Sequence, residues 1–409
     1  MMSKEKRRVP KLRFPGFTED WEQRKFGEIY ERAGQKNDLT YGIDKIISVA
    51  NMYFKKDVTV GSEEYLKTYN VFKLGDIAFE GHTNKEYRYG RFVENTIGDG
   101  IVSHIFDVFT PKINLDINFW KDLIKYEPIM GPILRRCTKA SRMMSNLTTK
   151  EFLEEQILCP TLEEQKLIGE FIVSLDKNIT LHQRKLDNLK LKKKALLQKL
   201  FPKNGERYPE LRFPGFTDAW EQRKLSEFVD KAVDNRGKTP PLDENGAHPL
   251  IEVAALGGVY PDYSKVEKYL SDDVFNTNLR AYIKKDDILF TTVGSIGLVS
   301  LMDSREEAAI AQNIVAFRAK ENFLPEYLYA LFSNEDNQYK AKRIAMVAVQ
   351  PSIKVSQLVN VEYMISTNIE EQERIGVFFS SLQSLITLHQ RKLDHLQLQK
   401  KALLQQMFV

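Results

Sequence analysis

Cysteine and long apolar runs are scarce in this sequence of 409 residues. The two cysteines, Cys137 and Cys159, match neither a metal-ligand spacing nor a disulfide framework, which fits a reducing compartment. No run of about 18 apolar residues is present, so no membrane-spanning helix is expected. The N-terminal stretch MMSKEKRRVP is charged and lacks the apolar core of a secretory signal. Together these absences predict a cytoplasmic protein.

The motifs of common nucleotide and nucleic-acid chemistry are also missing. There is no Gly-x-x-x-x-Gly-Lys-Ser/Thr loop, no Gly-x-Gly-x-x-Gly and no His-Glu-x-x-His. The one Pro-Pro pair lies in TPPL at Thr239–Leu242, without the acid or amide and the aromatic residue of an amino-methyltransferase motif. We therefore predict no catalytic residue, no metal site and no cofactor in this chain.

The composition allows more than one globular domain. Apolar residues make up 42% of the chain, and a chain of this length is expected to form two or three domains. The net charge is +4 and the pI is about 8.7. This mildly basic balance is compatible with a polyanionic partner but does not identify one.

Two segments occur twice in the chain. LRFPGFTEDWEQRK begins at Leu12, and LRFPGFTDAWEQRK begins 199 positions later at Leu211, with 12 of 14 residues identical. A longer pair, Leu162–Phe201 and Ile369–Phe408, is offset by 207 positions and shares 26 of 40 residues. The chain therefore consists of two half-repeats, each with a lead-in segment, a variable stretch and a long stretch rich in Leu, Lys and Gln.

This order predicts an α+β protein in four successive segments. Both variable stretches combine short strand-like runs with turns and helical pieces. The similar cores KLGDIAF (Lys73–Phe79) and KDDILF (Lys285–Phe290) favour one fold used twice with different loops. The predicted segments are a first domain at residues 1–160 with its lead-in segment at 11–25, a first helix at 161–201, a second domain at 202–367 with its lead-in segment at 210–224, and a second helix at 368–409.

The apolar spacing of the two long stretches predicts a coiled coil. Neither stretch contains proline, and every third or fourth residue falls on one seam, as in the a/d positions of a heptad. Two ordinary amphipathic helices, each packed on its own domain, are the alternative. The apolar seam positions are Ile168, Ile172, Leu175, Ile179, Leu186, Leu189, Leu196 and Leu200 in the first helix, and Ile375, Phe379, Leu382, Ile386, Leu393, Leu396, Leu403 and Met407 in the second.

Polar residues interrupt both seams at matching places. His182 corresponds to His389, and Lys193 corresponds to Lys400. Polar seam residues commonly set the register of a coiled coil at some loss of stability. Residues 188–205 also hold six lysines and no acid, which indicates either a solvated helix face or a strip that faces phosphates or a partner.

Basic and polar residues are concentrated in the loops of both variable stretches. Arg, Lys, Asn, Gln, Ser and Thr are the residue types that contact base edges and phosphates, so these loops are candidates for DNA binding. The candidates in the first stretch are His82, Asn84, Lys85, Tyr87, Arg88, Arg91, Arg135, Arg136, Lys139 and Arg142. The candidates in the second stretch are Arg236, Lys238, Thr291, Thr292, Ser295, Gln312, Asn313, Lys340, Lys342, Arg343, Gln350, Ser352 and Lys354.

With these features the chain resembles the specificity (S) subunit of type I restriction–modification systems. The resemblance rests on the duplicated RFPGF…WEQRK segment and on the duplicated EEQ…IG…ITLHQRKLD…KKALLQ helix. DDILFTTVGSIG and QPSIKVSQL in the second variable stretch add to it. The first variable stretch has GDIAFEGHTN and SRMMSNLTT in their place.

The resemblance implies a non-catalytic subunit that recognises double-stranded DNA. Each variable domain would be a target-recognition domain for one half of a bipartite, asymmetric site, and the two helices would lie antiparallel in a pseudo-two-fold repeat. Two modification (methyltransferase) subunits with S-adenosylmethionine, and restriction subunits that use ATP and Mg, would assemble on this chain. From the residues alone, an adaptor that joins two binding domains without nucleic acid is the alternative, and an enzyme with an unrecognised site is a third.

Overall fold

The structure is a computed structural model that describes residues 9–56, 58–141, 144–203, 205–235, 239–345 and 351–408. The chain divides into two compact units. Unit 1 is Met1–Thr180 with Asp394–Val409, and unit 2 is Leu181–Leu393. Both boundaries fall inside long helices, so each unit contains part of each helix. This division therefore differs from the four successive segments predicted from the repeats.

Unit 1 combines short strands with four short helices and parts of both long helices. Its strands are β1 (Glu22–Lys25), β2 (Tyr30–Arg32), β3 (Ile47–Ser48), β4 (Tyr53–Phe54), β5 (Asn70–Phe72), β6 (Ile77–Glu80), β7 (Arg91–Glu94), β8 (Gly100–Val102), β9 (Asp107–Pro111), β10 (Thr138–Ser141), β11 (Met144–Leu147) and β12 (Gln156–Cys159). Its helices are α1 (Phe26–Ile29), α2 (Ile117–Leu123), α3 (Glu127–Cys137), α4 (Thr149–Glu154) and the first part of α5 (Leu162–Leu200).

A four-stranded antiparallel sheet in the order β2-β9-β6-β7 forms the centre of unit 1. The KLGDIAF motif supplies β6, whose apolar residues are buried. The rings of Phe92 and Phe152 are stacked on this sheet with their centroids 4.5 Å apart. A separate antiparallel pair, β1 with β12, joins the start of the variable stretch to its end.

Unit 2 has the same kinds of element in nearly the same order. Its strands are β13 (Glu221–Lys224), β14 (Val229–Asp234), β15 (His248–Ile251), β16 (Tyr269–Leu270), β17 (Ile288–Thr291), β18 (Val299–Leu301), β19 (Ala309–Ile310), β20 (Ile314–Ala319) and β21 (Glu362–Ile365). Its helices are α6 (Leu225–Phe228), α7 (Asp272–Asn278), α8 (Pro325–Ser333), α9 (Glu335–Arg343), α10 (Val355–Leu358) and part of α11 (Ile369–Met407), together with the second part of α5.

The central sheet of unit 2 repeats the topology of unit 1. Its order is β14-β20-β17-β18, and the KDDILF motif supplies β17 as KLGDIAF supplies β6. The pair β13–β21 corresponds to β1–β12. A three-stranded sheet, β16-β15-β19, is added in unit 2. The predicted mixture of helices and strands in two repeated domains is therefore confirmed.

The two long stretches form helices α5 and α11, each of 39 residues. Every predicted seam position on both helices is buried or half-buried. Within unit 2 the rings of His182 and His389 lie 5.6 Å apart, and those of Phe201 and Phe379 lie 6.4 Å apart. Because the higher number in α5 meets the lower number in α11, the two helices are antiparallel inside this unit.

Candidate nucleic-acid interface

A buried ion pair fixes the first lead-in segment to the start of α5. The guanidinium of Arg13 donates from Nε and Nη2 to the two carboxylate oxygens of Glu164, at 2.6 and 2.8 Å. The indole Nε1 of Trp21 donates to the same carboxylate at 3.1 Å. Glu164 is fully buried, so these donors replace the hydration that its carboxylate loses. We call Arg13, Trp21 and Glu164 the first anchor.

Unit 2 contains the same arrangement, made by the repeated residues. Arg212 donates to both oxygens of Glu371 at 2.7 and 2.9 Å, and Trp220 Nε1 donates to it at 3.1 Å. The hydroxyl of Ser366 adds a fourth hydrogen bond to Glu371, at 2.6 Å. Arg212, Trp220 and Glu371 form the second anchor.

The glutamine after each anchor glutamate attaches the long helix to its variable domain. Gln165 Oε1 accepts from the backbone N–H of Asp116, at the start of α2, at 3.1 Å. Gln372 Oε1 accepts from the backbone N–H of Leu324, at the start of α8, at 3.0 Å. The repeated EEQ and RFPGF…W sequences are thus the two halves of one joint, which the sequence analysis did not identify. The sequence feature that could have predicted this joint is that both segments occur once in each half-repeat.

A glycine next to each joint lets the helix approach the domain closely. A Cβ atom on Gly169 would lie 2.4 Å from the carboxylate Oδ1 of Asp116 and 2.9 Å from Phe119 N. A Cβ atom on Gly376 would lie 2.8 Å from Tyr327 N. All three distances are shorter than real Cβ contacts, so the glycine of the repeated Ile-Gly pair is required by packing. These joints set the position of the sheet that presents the candidate loops.

In unit 1 the first candidate loop, which follows β6, lies beside strand β11. Ser145 N–H donates to Gly81 O at 2.7 Å, and His82 forms a bridge with Met144. Asn84 accepts at its side chain from the backbone N–H groups of Glu86 and Tyr87, both at 2.8 Å, which holds the first loop in a tight turn.

In unit 2 three predicted loops converge at the end of β17. The backbone N–H of Thr292 donates to Asn313 O, and the N–H of Ile353 donates to Thr292 O, both at 2.9 Å. Gly294 N–H donates to Pro351 O at 3.0 Å. Helix α9 also lies against this loop, because a Cβ atom on Gly297 would be 3.4 Å from the Gln338 side chain.

The candidate side chains differ in their access to solvent. The exposed ones are His82, Asn84, Lys85, Arg88, Arg135, Arg136, Lys139, Ser295, Gln312, Lys342, Arg343 and Lys354. The half-buried ones are Tyr87, Arg91, Asn313, Lys340 and Ser352. Arg142, Arg236, Lys238 and Gln350 lie outside the described residues.

Two exposed or half-buried arginines have carboxylate partners within unit 1. Arg91 Nε lies 2.7 Å from Glu80, and its guanidinium also lies over the ring of Tyr87 at 5.1 Å. Arg136 makes a bidentate pair with Glu155. A DNA phosphate would therefore compete with an existing partner at both residues.

The structure corrects the prediction for Thr291 and Thr292, which are buried. The Thr291 hydroxyl donates to Ser295 O at 2.6 Å and accepts from Leu298 N at 2.9 Å. The Thr292 hydroxyl donates to Asn313 O at 3.3 Å. Because their hydroxyl groups bind the backbone of this and a neighbouring loop, these residues shape the candidate loops and do not present groups to a ligand.

An exposed tyrosine on α9 was missed by the sequence analysis. Tyr339 is 63% exposed, and Lys342 and Arg343 follow it at helical spacings that place all three on one face. Lys340, by contrast, lies 5.7 Å from the ring of Tyr363, and burial lowers its pKa. An aromatic ring flanked by cations suits nucleic acid, because rings stack on bases and cations bind phosphates. The spacing in QYKAKR was the signal for this face.

The thiols and apolar helices suggest no further site. Cys137 and Cys159 are buried, and burial raises the pKa of their thiols to about 12 and about 11. Among the described residues, no helix is both long and apolar enough to cross a bilayer. Across the same residues, no three His, Cys, Asp or Glu side chains are grouped as metal ligands.

Comparison with known protein families identifies the chain. The family described as type I restriction modification DNA specificity domain matches residues 18–191 and again residues 217–398. These two matches cover most of the chain and coincide with the two half-repeats. The chain therefore belongs to this family and contains its domain twice.

Two relatives come from Methanocaldococcus jannaschii. The type I restriction enzyme MjaVIII specificity subunit is 24% identical over 265 residues, which cover 62% of this chain and 61% of the relative. The putative type I restriction enzyme MjaX specificity subunit is 21% identical over 411 aligned positions, covering 94% of this chain and 92% of the relative. The match thus spans less than two thirds of the MjaVIII subunit but nearly all of the MjaX subunit.

Two solved structures share the fold over nearly the whole chain. The S subunit of a type I restriction–modification system from M. genitalium has a TM-score of 0.58 at 13% identity, covering 98% of this chain and 99% of that one. The second is a chain from a structure that concerns the complex assembly and conformational transition of the type I R-M system. Its TM-score is 0.53 at 18% identity, covering 96% of this chain and 97% of that one. At these identities the likeness concerns the fold.

Proposed function

We propose that this chain is the DNA-recognition subunit of a type I restriction–modification complex, and that each unit recognises one half of a bipartite, asymmetric site. The observation that carries this proposal is one scaffold used twice with different loops. The sheets and anchors match, whereas the loop after β6 is basic and long and the loop after β17 is short and rich in Thr, Ser and Gly. Two copies of one reader with different contact residues suit a site whose halves differ.

The long helices would act as the spacer between the two readers. Each is about 58 Å long, at about 1.5 Å per residue over 39 residues. Their buried seams and the antiparallel contacts inside unit 2 support an antiparallel coiled coil over the full length. Half-sites about 10 bp apart, one turn of DNA, would then face the same side of the duplex.

Docking of two modification subunits is supported by exposed leucines that recur on both helices. Leu181 and Leu191 on α5, and Leu388 and Leu398 on α11, are between 62% and 67% exposed. Leu388 and Leu398 lie 207 positions after Leu181 and Leu191, so each helix offers the same apolar positions. Exposed leucines repeated in this way suit two copies of one partner.

In this assembly the chain would perform no bond chemistry. S-adenosylmethionine would be held by the modification subunits, and ATP and Mg by the restriction subunits. We expect no methyltransferase, nuclease or ATPase turnover from the purified chain. Turnover by a preparation shown to be free of partner subunits would contradict this expectation.

Exchange of one variable domain tests the modular recognition. Residues 225–367 would be replaced by the corresponding stretch of a relative, and methylated adenines would be mapped genome-wide in cells that carry the modification subunit. We expect one half-site to change while the other half-site and the spacer stay the same. The matched control exchanges residues 26–160 and should change only the opposite half.

A binding measurement separates this proposal from the adaptor alternative. Gel shift with random duplexes at low salt, using the chain co-purified with its modification subunit, should show salt-dependent complex formation. If neither the chain nor that complex binds any duplex, the adaptor function is favoured instead.

A further inference from the structure

The repeated seam lysines, Lys193 and Lys400, have different partners. In unit 1, Lys400 Nζ lies 2.7 and 2.9 Å from the carboxylate oxygens of Asp176, with Asp122 at 3.5 Å. In unit 2, Lys193 Nζ donates to the amide Oε1 of Gln383 at 2.7 Å. Gln383 is the repeat-related residue of Asp176, 207 positions later. A carboxylate in one half of the chain is thus a neutral amide in the other.

Lys193 has no anionic partner in the part of the chain that the structure describes. No carboxylate there lies within 4.0 Å of its ammonium group, and the ring of Tyr329 lies 5.5 Å away. Burial lowers its pKa to about 8, so the group is still mostly charged at neutral pH. Lys193 is half-buried, and a partly desolvated charge without a counter-charge is unfavourable. A ring face compensates only part of that cost.

A cavity of about 240 Å³ opens beside this ammonium group, entirely within unit 2. Three of its lining side chains are cationic and one is anionic. Lys194 is paired with Glu335 at 3.0 Å, which leaves Lys190 and Lys193 as an excess of two positive charges. The residues around the cavity that bear polar groups are Lys190, Lys193, Lys194, Ser333, Glu335 and Gln383.

The walls of the cavity are held in place by buried contacts. Asn334, between α8 and α9, donates from Nδ2 to Leu197 O of α5 at 2.7 Å. The same side chain accepts from Asn337 N–H at 3.1 Å and so caps α9. The corner that carries Ser333 and Glu335 is therefore attached to the helix that carries the lysines, and the cavity is preformed.

We propose that this cavity binds a phosphate-type oxyanion, which supplies to Lys193 the negative charge that Asp176 supplies to Lys400. The lining offers ammonium, amide and hydroxyl groups, all of which bind phosphate oxygens. A doubly charged tetrahedral anion matches the excess of two cations. Space is sufficient, because a single water needs only about 10–15 Å³ on the same measure.

Calorimetric titration of inorganic phosphate into the full-length chain tests the site. All buffers are at pH 7 and are brought to the same ionic strength with a chloride salt. We expect saturable binding by the unaltered chain and at least tenfold weaker binding by Lys193→Met, which keeps the volume and removes the charge. The matched control, Lys400→Met, should bind phosphate as the unaltered chain does. The proposal would be overturned if phosphate released no more heat than a chloride titration, or if Lys193→Met bound phosphate as tightly as the unaltered chain.

A second variant, Gln383→Asp, gives unit 2 the arrangement of unit 1. The new carboxylate should pair with Lys193 and reduce phosphate affinity at least tenfold. Saturating phosphate should also raise the melting temperature of the unaltered chain by about 3 °C and leave that of Gln383→Asp unchanged. Phosphate binding that persists in a folded Gln383→Asp protein would show that Lys193 is not the centre of the site.

Discussion

Asp76 in unit 1 and Asp287 in unit 2 occupy matching positions before β6 and β17, yet their charges are compensated differently. Each accepts the backbone N–H of the lysine three residues earlier, at 2.8 and 2.7 Å. Asp287 also makes a bidentate pair with Arg318, with both distances at 2.8 Å. No described cation lies within 4.0 Å of Asp76, and burial raises its pKa to about 6.

The comparison shows which parts of the scaffold are constrained. The turn needs an oxygen acceptor for its backbone N–H, so both units keep an aspartate there. The turn does not require a cation beside the aspartate. Unit 2 supplies one, Arg318 on the neighbouring strand β20, whereas no described cation pairs with Asp76 in unit 1. The anchors are the opposite case, because both units keep the arginine and the tryptophan that donate to the buried glutamate.

Loss of an anchor glutamate should have the largest effect. Glu164→Ala or Glu371→Ala leaves a half-buried arginine and a buried indole N–H without their acceptor. We expect the unit concerned to lose about 3–5 kcal/mol of unfolding free energy. Urea titrations followed by tryptophan fluorescence measure this, since Trp220 is the only tryptophan of unit 2.

The exposed neighbours provide matched controls for the anchors. Glu163→Ala and Glu370→Ala change the same helical turn without touching an anchor. These variants should differ from the unaltered chain by less than about 0.5 kcal/mol. Equal losses in control and anchor variants would show that helix charge, and not the anchor, explains the effect.

Removal of Arg318 should make unit 2 resemble unit 1 and should have the second-largest effect. In Arg318→Met the fully buried carboxylate of Asp287 loses its only described ion-pair partner. Arg318 is itself 42% exposed, so we expect a loss of about 2–4 kcal/mol at pH 7, below the range for fully buried pairs. Urea titration measures this loss, and a loss of less than about 0.5 kcal/mol would contradict the comparison.

Asp76→Asn should change how the stability of unit 1 depends on pH. The folded-state pKa of Asp76 is about 6, above its ordinary value of 3.8. Its contribution to stability is therefore full below about pH 3.8 and is lost as the pH rises through about 6. At pH 7.5 the variant, whose amide oxygen still accepts from Lys73, should be about 1–3 kcal/mol more stable.

Urea titrations at several pH values between 4 and 7.5 measure this effect. The difference between Asp76→Asn and the unaltered chain should grow as the pH rises and level off above about 7. Parallel curves would mean that Asp76 is ionised throughout and that its burial is compensated by a group other than those described.

The exposed face of α9 should give the smallest effects, on DNA binding and not on stability. Lys342→Ala and Arg343→Ala should each weaken binding to all sequences alike and lower the salt slope by about one. Gel shifts at several salt concentrations measure this. Lys199→Ala, whose side chain is paired with Glu210, is the control and should leave the slope unchanged. A change in base preference would assign these residues to base recognition.

Repetition and spacing were sufficient to predict much of the fold. Two copies of a seam at heptad spacing predicted α5 and α11, and the matching cores predicted the central strands β6 and β17. That the loop after β17 contacts residues 351–353 is seen only in the structure. Local patterns therefore predicted elements, whereas contacts between distant segments were not visible in them.

The anchors and the buried threonines show why the rest was not predictable. Arg13 and Glu164 are 151 positions apart, and many other arginine–glutamate pairs were equally possible. In the sequence, Thr291 cannot be distinguished from an exposed threonine that could contact DNA. Its hydroxyl is buried because the folded loop places Ser295 O and Leu298 N against it. The partner of a polar side chain depends on tertiary structure, which residue type alone does not reveal.

The joints between helix and domain have a consequence for how new specificities arise. Every anchor residue belongs to a repeated segment, and Gln165 and Gln372 each accept a backbone N–H group at the start of a helix in the variable domain. Gln165 also accepts from the indole Nε1 of Trp120 at 2.9 Å. Any variable stretch that folds with a helix start at that point can therefore keep the backbone part of this attachment. Because the lead-in segments share 12 of 14 residues and the long helices share 26 of 40, recombination between genes of this kind would exchange one variable domain and preserve its anchor.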